Sequence, residues 1–129
     1  MAKRIREKAV TRKANADMRP HATAKYVRIS SSKVKIVADL IRGKSAEEAL
    51  AILMYTPKAA APVMEKLLLS AIANGENREN NAMSRGSMYV AEVYANPGPT
   101  LKRYVARSRG SASPMLKRTS HITIVLDQK

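Results

Sequence analysis

From Val93 to Leu126 the chain contains no acidic residue, although Lys102, Arg103, Arg107, Arg109, Lys117 and Arg118 all fall there. Thr100 to Arg109 and Met115 to Leu126 are β-compatible runs flanking Gly110-Ser111-Ala112-Ser113-Pro114, a pattern that reads as a long hairpin. At roughly 3.3 Å per residue an arm from Thr100 to its tip extends on the order of 30 Å. Few large hydrophobes lie near that tip, so the distal arm cannot pack on a body and is mobile by itself. Solvated protein faces mix signs; a single-sign stretch this long points to phosphates on the other side of the interface. On an extended strand Arg107 and Arg109 share a face and Ser108 points the other way, while Gly110 lets the backbone reverse.

The remaining charge is equally segregated. Residues 1–44 hold thirteen Lys/Arg against three Asp/Glu, whereas 45–92 hold four against six. The middle therefore reads as an ordinary folded body, and the ends carry most of the net charge of +14. With 129 residues, 45% of them hydrophobic, the chain supports one domain with one modest core. Cysteine is absent, which excludes disulfide frameworks and thiolate metal sites. Met1-Ala2-Lys3-Arg4-Ile5-Arg6 has no apolar stretch after its charges and does not read as a secretory signal. The most apolar run, Val63 to Ala73, is interrupted by Glu65 and Lys66 and is too short to span a bilayer, so no membrane partner is expected.

Residues 1–20 lack periodicity and read as a basic tail, disordered until it meets a polyanion. Ala24 to Ile29 reads as a strand, and Ser30 to Ser32 as the cap of a helix with Val34, Val37, Leu40 and Ile41 inward. Gly43 stops that helix. Ser45-Ala46-Glu47-Glu48 is a capping-box pattern that opens a second helix, with Ala49, Leu50 and Leu53 inward. Thr56-Pro57 reads as the start of a third helix reaching Asn74-Gly75, with Val63, Met64, Leu67, Leu68, Ala71 and Ile72 inward and a kink or loosened turn at Pro62. Met54, Met64 and Met88 read as core fillers. Asn74 to Ser87 reads as a polar loop, and Met88 to Ala95 as a strand ended by Asn96-Pro97-Gly98-Pro99.

Three motifs suggest other chemistry. Gly43-Lys44-Ser45 resembles the end of a phosphate-binding loop, but Ala38 stands where the motif's first glycine belongs and a helix precedes it; helix stop plus helix cap explains the string. His21 and His121 have no carboxylate or cysteine neighbour with which to form a base or metal site, so no metal or cofactor is expected, and His121 suits stacking or hydrogen bonding at an interface. The helices either side of Gly43 outline a helix-turn-helix, yet the second carries Glu47 and Glu48, which phosphates repel. A DNA-binding module and a phosphotransferase thus stay as alternatives behind an RNA-binding protein, favoured because no base-reading helix is apparent.

Ala24-Lys25-Tyr26-Val27-Arg28-Ile29-Ser30, Lys33-Val34-Lys35 and Val37-Ala38-Asp39-Leu40-Ile41-Arg42-Gly43-Lys44 resemble the opening of the bacterial large-subunit ribosomal protein L-twenty-two family. The resemblance continues through Ser70-Ala71-Ile72-Ala73-Asn74, Gly98-Pro99-Thr100-Leu101-Lys102-Arg103 and Leu116-Lys117-Arg118-Thr119-Ser120-His121-Ile122-Thr123, covering residues 22–127. It implies an α+β fold, three helices packed on a small antiparallel sheet with a long projecting β-hairpin arm at about 100–120. It divides the chain into a flexible tail, 1–21, and a single domain, 22–129. It also implies a non-enzymatic, single-copy constituent of the cytoplasmic large ribosomal subunit, supporting assembly without forming homo-oligomers. The implied partners are several domains of the ribosomal RNA, neighbouring ribosomal proteins and the nascent peptide in the exit tunnel.

Carried onto this chain, the RNA-facing residues are Lys25, Arg28, Lys33, Lys35, Arg42, Lys44, Lys102, Arg103, Arg107, Arg109, Lys117, Arg118 and His121. Arg107, Ser108, Arg109, Gly110 and Ser111 form the tunnel tip, and Lys102 and Arg103 stand where changes in the family alter macrolide response. The chain departs from the family at Ser31-Ser32, where Pro-Arg is usual, and at Ser111 and Ser113, where many members carry Arg and Asp. Its tip is therefore less charged. The segment Glu76–Arg85 also differs and reads as a variable surface loop.

Overall fold

The computed structural model describes residues 2–78 and 82–129. Four α-helices occur among them, α1 (Ala2–Ala14), α2 (Ser31–Ile41), α3 (Ala46–Tyr55) and α4 (Ala61–Glu76), with five strands, β1 (His21–Val27), β2 (Met88–Pro97), β3 (Leu101–Ala106), β4 (Ala112–Lys117) and β5 (Ser120–Gln128). The class is α+β. β5 is the middle of an antiparallel sheet ordered β1-β5-β2, while β3 and β4 pair only with each other.

The sheet is half apolar because each strand alternates. On β5, Ile122, Ile124 and Leu126 are fully buried, and His121 and Thr123 lie on the opposite face with the exposed Thr23 of β1. On β2 the buried positions are Met88, Val90 and Val93, an alternation out of step by one. A register shift between Val90 and Glu92 accounts for it: the bulge inserts one residue and returns Val93 to the core. Three helices cover this face. α2 packs on β2, α4 on β1 and β5, and α3 joins α2 to α4. Along α4 the buried residues are Ala61, Met64, Leu67, Leu68, Ala71, Ile72 and Gly75, which is one stripe at helical spacing. Gly75 is helical and buried; a Cβ there would lie 2.9 Å from Met88 Cε, so its smallness lets α4 approach β2.

Helix boundaries show where local signals compete. Gly43 (φ +76°) follows α2 as read, and Ser45 caps α3, its Oγ accepting from the Glu48 amide at 3.3 Å. Ser30 precedes α2, but its side chain makes no capping bond. Thr56 does not open a helix: its hydroxyl donates to the Ile52 carbonyl at 2.6 Å, closing α3 instead. α4 therefore begins at Ala61 and takes Pro62 into its first turn, where a missing N–H costs nothing, and the expected kink has no cause. It also runs past Gly75 to Glu76, shortening the expected polar loop, which includes buried Met83; residues 79–81 lie outside the described residues. Two expected core positions are surface ones, Leu40 (47% exposed) and Met54 (64%), because the helix faces that carry them turn away from the sheet. The segment read as a shapeless tail contains α1. Its Ala, Lys, Arg and Glu residues are strong helix formers, and periodicity gave no signal because the helix buries no face.

β3 and β4 have no second layer: residues 102–112 are all exposed, and the strands touch the body only at their base. Replacing Lys102–Lys117 by a short glycine-containing turn will accordingly leave a cooperatively unfolding body, whereas Leu68→Ala in α4 will destabilise it by about 2–5 kcal/mol. Thermal unfolding by circular dichroism measures both, and a non-cooperative melt of the shortened chain would contradict the assigned boundary.

Candidate RNA interface

The base of the arm meets the β1–α2 corner. Arg28, Lys33, Lys117 and Arg118 line one open hollow there, with Ser30 and Leu116 between them. Two segments distant in sequence thus bring four cations together, and none of the four joins an ion pair among the described residues. Ser31, Ser32, Thr100, Arg118 and Thr119 line an adjoining hollow, so hydroxyls flank the Arg118 side of the corner. Such a corner can accept consecutive phosphates, with the hydroxyls adding hydrogen bonds.

The other candidate cations divide into free and engaged groups. Lys35 and Arg42 border a third hollow with Glu92 and Tyr94, but the Arg42 guanidinium is held by Asp39 at 2.7 Å and donates to the Val93 carbonyl at 3.3 Å. Lys44 pairs with Glu48 at 3.0 Å. These exposed pairs are weak and can exchange for phosphate. Lys25 is exposed on the outer face of β1.

On the arm, cross-strand partners share a face, pairing Arg103 with Met115 and Lys102 with Leu116. Neighbouring positions alternate, so Arg103 and Lys117 lie on one face and Lys102 on the other. Both faces are therefore cationic and neither is covered by protein. Tyr104, 70% exposed beside Lys102 and Arg103, offers a ring for base stacking that charge counting overlooked; its signal was an aromatic residue within the acid-free cationic run.

The tip departs from the extended geometry that the sequence implied. β3 stops at Ala106, and Ser108–Ser111 form a tight β-turn with Arg109 at φ 56° and Gly110 at φ 74°, both left-handed. Arg107 and Arg109 consequently do not share a strand face. Ser111 Oγ donates to the Ser108 carbonyl at 2.8 Å and the Arg107 amide to the Ser111 carbonyl at 2.8 Å. Ser111 thus closes the turn at the tip with its hydroxyl and its backbone.

His121, half-buried on the sheet face opposite the core, is engaged by β1 within the domain. A bulge in β1 puts Tyr26 at φ 58°, and the Tyr26 amide donates to His121 Nδ1 at 3.0 Å. The two rings meet edge to face at 4.8 Å. Gly98 sits against the same imidazole, and the Thr119 hydroxyl donates to the Pro99 carbonyl at 2.7 Å, joining the two sides of the arm at its root. A further clip was not legible in sequence: Arg19 contacts Asp17 at 2.7 Å and Glu92 at 2.9 Å, fastening the chain to β2. The Arg19 hydrogen bonds hold the Asp17 carboxyl down at about 2.

The alternative chemistries find no geometry. Ser45 Oγ is occupied in capping α3, and the Gly43 amide donates to the Val90 carbonyl, so Gly43-Lys44-Ser45 forms no phosphate cradle. α3 exposes Glu47 and Glu48, which disfavours insertion into a groove.

Fold and surface together define a small basic α+β protein with a bare, doubly cationic hairpin. A family model described as ribosomal protein L22p/L17e matches residues 22–127, and the chain belongs to that family, whose members are structural and not catalytic. A large ribosomal subunit protein uL22 from Pediococcus pentosaceus is 56% identical over 108 residues, covering 84% of this chain and 90% of the relative. Its counterpart in Clostridium novyi is 53% identical over 112 residues, 87% and 99% of the respective chains. That of Acetivibrio thermocellus is 56% identical over 108 residues, 84% and 85%.

At Gly98, an added Cβ would lie 2.6 Å from Thr119 Oγ1 and 3.2 Å from the His121 ring. Gly98→Ala will therefore cost about 1–3 kcal/mol in thermal unfolding and shift the His121 ring resonances, through crowding at the arm's root. Unaltered melting would show that the junction yields freely. The Asp17 clip has an acid limit. Its folded value lies below the ordinary 3.8, so its contribution is complete above that value and is lost as pH falls through about 2. Carboxyl NMR titration of Asp17 should return a midpoint near the lower figure, and Arg19→Gln should restore the ordinary one.

Proposed function

We propose that this chain is a structural constituent of the cytoplasmic large ribosomal subunit that binds large-subunit ribosomal RNA and supports subunit assembly. Membership of the family carries the first part of the reading. The arm carries the second: a two-stranded ribbon with cations on both faces and no covering layer is stable only when a polyanion surrounds it. In the subunit the Arg28, Lys33, Lys117 and Arg118 corner grips RNA at the arm's root, and Lys102, Arg103, Arg107 and Arg109 neutralise phosphates along it. The ordering of the arm is thereby coupled to assembly. The tip, Arg107 to Ser111, borders the nascent-peptide tunnel, and the body contacts neighbouring ribosomal proteins. No described helix is long and apolar enough to cross a membrane.

Binding by neutralisation has a measurable signature. Affinity for large-subunit RNA will fall steeply with salt, and Lys102→Gln or Arg118→Gln will each lower the log–log slope by roughly one unit or slightly less. Binding across a salt series measures the slope, and co-sedimentation with large subunits tests residence. Affinity indifferent to salt would rule out the electrostatic account.

A further inference from the structure

We infer that α1 is a second RNA-binding element, which presents Arg4, Lys8 and Arg12 as one stripe to the phosphates of the same ribosomal RNA. The inference rests on the RNA-binding reading above but concerns residues outside the matched span 22–127. Within Ala2–Ala14 stand six Lys/Arg and one acid, Glu7. Successive residues turn by about 100°, so positions 4, 8 and 12 follow one another along one side with a rise of about 6 Å per step. Glu7 lies about 100° round from Lys8 and about 60° from Arg4, beside the end of the stripe and not within it. Residues 3–14 are exposed, and none of the ion pairs among the described residues involves Arg4, Lys8 or Arg12.

The apolar residues favour RNA over a lipid surface or a hydrophobic protein groove. Ile5 and Val10 are both exposed but point about 140° apart, so α1 has no apolar face to insert. Cations at i, i+4 and i+8 also repel one another and weaken a free helix, a defect that bound phosphates remove. RNA binding should consequently raise helicity. The attachment limits where this happens: the Pro20 carbonyl accepts from the Leu126 amide and Arg19 is clipped to Glu92, leaving only a short link after Ala14. With its root held on β5 and β2, α1 engages RNA beside the body as an intramolecular second contact.

The test uses the full chain, large-subunit ribosomal RNA and two triple variants of equal net charge. Arg4→Gln/Lys8→Gln/Arg12→Gln removes the stripe, and Lys3→Gln/Arg6→Gln/Lys13→Gln removes the cations elsewhere on α1. The expected result is a slope lowered by about two to three units for the stripe variant and by less than one for the other. The parent should also gain helical circular dichroism with RNA, and the stripe variant should not. Equal losses in both variants, or none in either, would overturn the assignment. Stripe-dependent binding to phosphatidylserine vesicles as tight as to RNA would overturn the choice of partner. Failure of the parent chain itself to bind the RNA would instead refute the function on which the inference rests.

Discussion

Burial of Ile122, Ile124 and Leu126 on the central strand organises everything else in this molecule. β5 hydrogen-bonds to β1 on one side and β2 on the other, and its inward residues lie under the helical layer. The same strand is also the continuation of the arm: β4 leads through Arg118 and Thr119 directly into Ser120. Apolar burial in the body thus sets the position from which an uncovered ribbon departs. The ribbon contributes nothing to that core and takes its placement from it.

Backbone irregularities do the local work of aiming. The bulge in β1 releases the Tyr26 amide from the ladder, and His121 Nδ1 satisfies it. That fixes an imidazole against Gly98, where the absence of a Cβ permits close approach, while Thr119 reaches across to the Pro99 carbonyl. His121 is thus part of the root of the arm.

Electrostatics follows a similar division. Arg19, Arg42 and Lys44 sit in ion pairs that fasten the chain or decorate α2 and α3. Arg28, Lys33, Lys117 and Arg118 converge without such partners, and the arm carries its cations on opposite faces. Total charge reports only that a polyanion is wanted. Which cations are free to meet it depends on where the few acids fall in space.

The family resemblance implied the fold class; the residues themselves determined the helical core stripe of α4, the stop at Gly43, the cap at Ser45 and the existence of the arm. Each rests on periodicity, short-range backbone chemistry or a long run without acids. Only the tertiary structure decided the rest. Thr56 spends its hydroxyl closing α3, so α4 starts later and Pro62 is harmless. Leu40 and Met54 are apolar yet face away from the sheet. The tip turns through Arg109 and Gly110 and so breaks the alternation of Arg107 and Arg109. α1 went unread because periodicity signals burial, and this helix buries nothing. The cationic corner joins residues nearly ninety positions apart (Arg28 and Lys117), and no local pattern records that proximity; it exists because β5 pairs beside β1 and returns the arm to the start of α2.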